Sequence, residues 1–187
     1  MTVDDELARS LVAARAGDEA AMRALFVEFH PRLLRFLRAS EPRVADDLAS
    51  EVWMAVARGL RAFVGEMPDF RAWLFAIARR RIADHRRAGA RRATDPVEAS
   101  TLEQLADVDD PMSTVVDVLS AKDAAALVLA TLPPDQAEVI LLRVLGDLSV
   151  GEAAAAMDRT PNWVRVTQHR ALRRLADRLG AKIDVIR

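Results

Sequence analysis

Residues 148–175 read LSVGEAAAAMDRTPNWVRVTQHRALRRL. Ser149 and Glu152 have the S-x-x-E spacing in which each side chain satisfies the other residue's backbone N–H, so a helix opens here and runs to about Met157. Asp158-Arg159-Thr160 makes a turn. Thr160 is a good N-cap, and Pro161 follows at the first helical position, where the missing N–H costs nothing. The second helix reaches about Leu179, with Val164, Gln168 or Ala171, Leu172, Leu175 and Leu179 as its apolar stripe. Its other face carries Arg165, His169, Arg170 and Arg173. A short helix, a tight turn and a second helix with a basic outer face form a helix-turn-helix, the shape that fits a major groove and brings side chains to base edges. Spacing alone leaves a second reading open, an αα-hairpin with a solvated basic face.

Outward from this segment, helical spacing recurs. Leu48, Val52, Val56 and Leu60 form one stripe, Phe70, Trp73, Leu74, Ile77 and Ile82 a second, and Leu25, Phe26, Phe29, Leu33, Leu34 and Leu37 a third that continues past Pro31. Pro133-Pro134-Asp135 opens a further helix through Val139, Ile140, Leu142 and Val144. The expected class is all-α, with two small helical domains at 10–92 and 121–180 joined by an acidic linker over 93–120. Each domain is too small for more than a modest core.

The chain has 187 residues, 51% of them hydrophobic, with 27 basic and 28 acidic groups and a net charge of −1. That average argues against nucleic-acid binding, but the distribution reverses it. Residues 61–92 carry 9 basic and 3 acidic groups, residues 93–123 carry 1 and 8, and Arg159 to Arg178 includes six Arg against Asp177. One-sign blocks mark interaction surfaces better than net charge does. Seven Arg against Asp84 between Arg79 and Arg92 would repel one another without a partner.

Cysteine is absent, which excludes disulfides, thiolate nucleophiles and Cys-ligated metals. The acidic start Met1-Thr2-Val3-Asp4-Asp5-Glu6 does not suit a signal peptide, and no run approaches the ~18 apolar residues of a membrane span, so a cytoplasmic location is expected. There is no GxGxxG, P-loop or HExxH, and His30, His85 and His169 lie far apart, so neither a cofactor nor a metal is expected. Asp47 and Glu51 share a helix face with Asp46 nearby, but so few ligands from one helix seldom hold a divalent ion. An enzyme that uses these acids on DNA is therefore a weak alternative.

Leu132 to Arg143, LPPDQAEVILLR, with the helix-turn-helix and His169-Arg170-Ala171-Leu172, resembles region 4 of bacterial extracytoplasmic-function (ECF) sigma factors. Ala45 to Trp53, ADDLASEVW, resembles region 2.2, and Phe70 to Arg79, FRAWLFAIAR, with Asp84 and the basic tail resembles regions 2.3 and 2.4. The order along the chain agrees as well.

The resemblance implies a non-enzymatic polymerase subunit that reads promoters. Arg165, Val166, His169, Arg170 and Arg173 would face the −35 element. Phe63, Phe70, Arg71, Arg79, Arg80, Arg86 and Arg87 would serve the opened −10 strand, with the Phe63–Phe70 stretch as the loop that holds a flipped base. Asp46, Asp47, Leu48, Glu51, Val52 and Trp53 would border the surface that docks on the clamp helices of the largest subunit of core RNA polymerase. The flap, promoter DNA and an anti-sigma factor complete the implied partners, with no membrane insertion.

In the family the linker passes near the polymerase active site, where acidic groups can mimic nucleic acid. The absence of cysteine implies that any redox sensing lies in a partner, and the short tail after the second domain implies no appended sensory domain. Five positions depart from the family pattern. Asn162-Trp163 stands for the usual Gly-Thr, Val166 and Thr167 for a small polar residue and Arg, and Arg80 for Asn. Val contacts a thymine methyl but cannot hydrogen-bond guanine, which predicts an unusual −35 sequence. Trp163 and Trp73 are expected to pack as core. The competing regulatory reading is a helix-turn-helix protein that binds DNA as a dimer without polymerase.

Overall fold

The computed structural model describes residues 3–94 and 126–184, and every regular element among them is helical. Helices α1 (Val3–Arg15), α2 (Glu19–Ser40), α3 (Ala45–Gly59) and α4 (Met67–Thr94) make the first unit, with single 3₁₀ turns at Pro42–Val44 and Leu60–Ala62. The second unit holds a helical segment over 126–131 (α5), then α6 (Pro134–Val144), α7 (Val150–Met157) and α8 (Pro161–Asp184). The acidic linker expected over 93–120 lies almost wholly outside the described residues.

The three sequence stripes become the first core. Leu25, Phe29, Leu33 and Leu37 of α2 meet Leu48, Val52 and Val56 of α3, and Phe70, Leu74, Ile77 and Ile82 of α4 close over them. Aromatic rings lock the crossing, Phe29 against Phe70 at 5.6 Å and Phe36 edge-on to Phe75 at 5.5 Å between centroids. Phe36, absent from the expected stripe, is fully buried, while Phe26 is 39% exposed. Asp18 caps α2 by accepting from the Ala21 N–H at 2.9 Å. The helix runs through Pro31 because that residue and Val27, whose carbonyl loses its partner, both lie on the exposed side where water replaces the bond.

The sequence suggests two separate cores, but the structure merges most of them. Val139, Leu141 and Leu142 of α6, Leu148, and Ala153, Ala154, Ala156 and Met157 of α7 belong to the same buried cluster as the first unit. Only Leu132, Ala137, Ile140 and Ala171 form a second, smaller one. The join is α4 lying along α7. α7 can approach so closely because it is a run of alanines, and because Gly146 sits where a Cβ would meet the Leu142 carbonyl oxygen at 2.7 Å and the Phe75 ring at 2.9 Å.

The capping box forms as read. Ser149 Oγ accepts from the Glu152 N–H at 3.2 Å, and Glu152 accepts from the Ser149 N–H at 2.6 Å. Losing an N-cap hydroxyl costs about 1 kcal/mol. Ser149→Ala is therefore expected to lower the thermal midpoint by ~2–4 °C in a chain of this size, measured by circular dichroism, with Ser149→Thr close to wild type.

Candidate nucleic-acid interface

Between α7 and α8 the chain turns at Asp158, whose φ of 53° places it in the left-handed region. The Arg159 N–H donates to the Ala154 carbonyl at 2.9 Å and closes the helix end. Thr160 Oγ1 then accepts from the Trp163 N–H at 3.2 Å and starts α8. Val164, Thr167 and Ala171 are buried and fix the rotation of α8. That rotation leaves Arg165, Val166, His169, Arg170 and Arg173 together on the exposed face. Thr167, one of the departures from the family pattern, therefore packs inward and reads no base. Leu172, expected in the apolar stripe, is 50% exposed because Ala171 and Leu175 take the inner positions. Trp163 is half-buried, with the Arg159 guanidinium 5.5 Å from its ring centroid.

Sequence reasoning missed a brace behind this face. Arg143 of α6 donates to Gln168 Oε1 of α8 at 3.2 Å and also to the Leu148 carbonyl at the entry to α7. One guanidinium thus ties three elements, which its rigid fork of donors permits. An Arg in the last turn of an amphipathic helix was the signal available in the sequence.

The expected −10 residues separate on the α4 side. The Phe63–Phe70 stretch is a loop only through Glu66, since α4 begins at Met67. The Glu66 N–H donates to Asp69 Oδ2 at 2.9 Å, and Gly65 has a φ of 151° with Asp69 Cβ 2.7 Å from where its own Cβ would stand. Phe63 is half-buried and stacks on Trp73 at 4.9 Å between centroids. Phe70 is fully buried between Phe29 and Phe63, so it supports the loop and offers no ring to a base.

Of the arginines, Arg80 is exposed and has no ion pair among the described residues. Arg86 pairs with Glu41 at 2.5 Å and donates to the Ser40 carbonyl at 3.2 Å. Arg87 pairs with Asp84 at 2.5 Å. Arg71 and Arg79 turn away from solvent toward the second unit, with Arg71 reaching Glu152 at 3.5 Å and Arg79 reaching Glu138 at 2.8 Å.

On α3 the six expected docking residues divide by burial. Asp46, Asp47 and Glu51 are exposed, while Leu48, Val52 and Trp53 are core residues beneath them. Asp46 pairs with Arg38 at 3.5 Å and Glu51 with Arg81 at 3.7 Å. No cluster of three metal-binding side chains occurs among the described residues.

Next to this surface Phe26 stacks on His30 at 4.5 Å and tilts onto Trp53 at 5.0 Å. His30 Nδ1 and Trp53 Nε1 are buried without a hydrogen-bond partner among the described residues. Burial pushes the His30 imidazole below its ordinary value, opposed by Asp46 and assisted by Arg38.

The sigma-70 region 2 family model matches residues 25–92, and the region 4 model matches residues 122–175. The ECF RNA polymerase sigma factor SigD of Mycobacterium tuberculosis is 36% identical, over 98% of this chain and 89% of that protein. ShbA of Streptomyces griseus, also an ECF RNA polymerase sigma factor, is 35% identical over 85% of this chain and 87% of its own. Two regions in this order, both matched, with whole-length relatives, place the chain in the sigma-70 family, among its ECF RNA polymerase sigma factors.

The fold agrees. CnrH, solved in complex with the cytosolic domain of CnrY, has a TM-score of 0.67 at 23% identity, covering 95% of this chain and 99% of CnrH. The sigma factor RpoE of Bartonella quintana, solved with the anti-sigma factor NepR, has a TM-score of 0.64 at 23% identity, covering 84% and 96%.

A His whose folded-state value is depressed stabilises the fold fully only above its unfolded value, because the unfolded chain binds the proton first as pH falls. The urea midpoint is expected to drop as pH falls below about 6.5, and this drop is expected to shrink in His30→Phe, which keeps the stack on Phe26. Parallel pH profiles for the two proteins would contradict it.

Proposed function

We propose that the chain is a dissociable subunit that binds core RNA polymerase and directs initiation at promoters carrying −10 and −35 elements, with the working units at 10–92 and 121–180 and the acidic 93–120 linker between them. The observation that carries this reading is the exposed face of α8. Arg165, Val166, His169, Arg170 and Arg173 share it in a helix-turn-helix, on a chain that also has a region 2 unit. Arg165 and Arg170 lie toward the helix N-terminus, the end that enters the groove, and Arg reads guanine through O6 and N7. Val166, 40% exposed, suits a thymine methyl.

At the −10 element, Phe63 and the exposed Val64 beside it offer apolar contact to an unstacked base, and Arg80, Arg86 and Arg87 line the path of the strand. Asp46, Asp47 and Glu51 form the acidic surface for the clamp helices, held in place by Leu48, Val52 and Trp53 beneath. The protein supplies no catalytic group, acts in the cytoplasm and is held by an anti-sigma factor when idle. The similar sigma factor RpoE, solved with the anti-sigma factor NepR, supports the last point.

In vitro transcription with core polymerase on a library of promoters from the source genome is the primary test. Promoter-specific transcripts are expected, and their absence would sink the reading. Arg165→Ala is expected to weaken promoter-directed transcription by ~1–3 kcal/mol of recognition, roughly five- to 150-fold, with core binding intact. Asp47→Arg is expected to do the reverse, losing core affinity in a pull-down while leaving duplex −35 binding unchanged.

A further inference from the structure

The arginines of α4 are largely spent within the fold. Arg79 donates through Nε and Nη2 to the Glu138 carboxylate and through Nη1 to the Ala156 carbonyl, in the last turn of α7, at 2.7 Å. Arg159, in the turn of the helix-turn-helix, is placed differently. It is exposed and has no ion pair among the described residues. Its backbone is held by the N–H bond to the Ala154 carbonyl at 2.9 Å. Its side chain is held as well, because the guanidinium lies 5.5 Å from the centroid of the Trp163 ring and Nη1 donates to the Asp158 carbonyl at 3.2 Å. A ring face attracts a guanidinium through its π electrons and leaves the edge, where the N–H groups point, uncovered. Most of the donors of Arg159 are therefore free, on a side chain that has already given up part of its rotamer freedom.

The place of the pair on α8 decides what it meets. At about 100° per residue, Val164, Thr167 and Ala171 face the core, and Arg165, His169 and Arg173 face away from it. Trp163 falls between the two, on the flank that Arg170 occupies two turns later. A helix with its side chains is ~10–12 Å across and a major groove is ~12 Å wide, so a helix with Arg165 and His169 at base edges presses its flanks against the sugar–phosphate walls. Contacts to those walls set orientation and register, while contacts to bases set sequence.

We propose that Arg159 and Trp163 form a phosphate clamp at the start of α8, in which the indole holds the guanidinium against the backbone of one strand beside the bases that α8 reads. Arg159 makes the contact, and Trp163 is its positioning residue. The clamp rests on the promoter-reading function proposed above, and it gives Trp163 a role that the Thr usual in the family at this position cannot fill. A planar guanidinium meets two phosphate oxygens at once, so the clamp fixes the depth of α8 in the groove as well as adding affinity. It carries no base preference.

The test is salt-dependent binding of the full chain to two short fluorescein-labelled duplexes, read by anisotropy. One duplex is enriched by the wild-type protein from a randomised pool, and the other has an unrelated sequence. Arg159→Gln is expected to weaken binding roughly three- to tenfold on both duplexes alike, and to reduce the slope of log K against log salt by ~0.9, the loss of one phosphate contact. Trp163→Thr is expected to weaken both roughly two- to fivefold, with Trp163→Phe, which keeps a ring face, close to wild type. Added to Arg159→Gln, Trp163→Thr should cost nothing further, because the ring then has no guanidinium to hold. Circular dichroism checks the Trp163 variants, since that ring is half-buried, and the exposed Arg159→Gln stands by itself if they fail to fold.

An unchanged salt slope in Arg159→Gln, a loss confined to the enriched duplex, or full additivity of the two substitutions would overturn the clamp. A pool from which no duplex is enriched would refute the promoter reading instead, and the slope on the unrelated duplex would still decide the clamp. A wild-type chain that binds neither duplex at low salt would overturn both.

Discussion

The structure turns on one helix used on two sides. α4 gives Phe70, Leu74 and Ile82 to the first core, and through Phe75 and Arg79 it also meets the second unit. An ion pair as exposed as Arg79–Glu138, about a quarter on each side, contributes at most about 1 kcal/mol. Apolar burial around Phe75, Leu148 and the α7 alanines is thus the larger attraction. The guanidinium sets the register, because its three used donors fit only one relative placement of α4, α6 and α7.

An interface of small residues and a few partly wetted ion pairs is weak enough to be separated by a larger binding surface. The helix-turn-helix is built more firmly. A reciprocal capping box, a left-handed helix stop at Asp158, a Thr160 cap and the Arg143 brace fix α7 and α8 against each other. A groove-reading helix needs that rigidity, since its side chains must arrive at base edges already aligned.

The charge distribution acquires a second meaning. The arginines of α4 appear in the sequence as one uncompensated block, which argues for a nucleic-acid partner. In the structure most have acidic neighbours, namely Glu138, Glu152, Glu41, Asp84 and Glu51. Several of these acids come from other elements far away in sequence. The self-repulsion that a linear count implies is therefore relieved within the fold, and fewer of these arginines, the exposed Arg80 among them, are left without an acidic neighbour among the described residues.

Most of the helices, the caps of α7 and α8 and the two family regions were legible in the sequence, whereas α1 and the Asp18 cap of α2 were not read from it. Periods of 3.6 residues, S-x-x-E and Thr-Pro signals are local physics that tertiary context did not override. The basic face of α8 was legible for the same reason, because Val164 and Ala171 dictate which side turns inward. Tertiary structure alone decided what each unit packs against. No local signal could show that Phe70 is sealed between Phe29 and Phe63 or that Thr167 points inward. Nor could it show that Arg79 caps a helix 77 residues further along the chain. Those outcomes depend on which surfaces meet, and burial and ion pairing are settled only when distant segments come together.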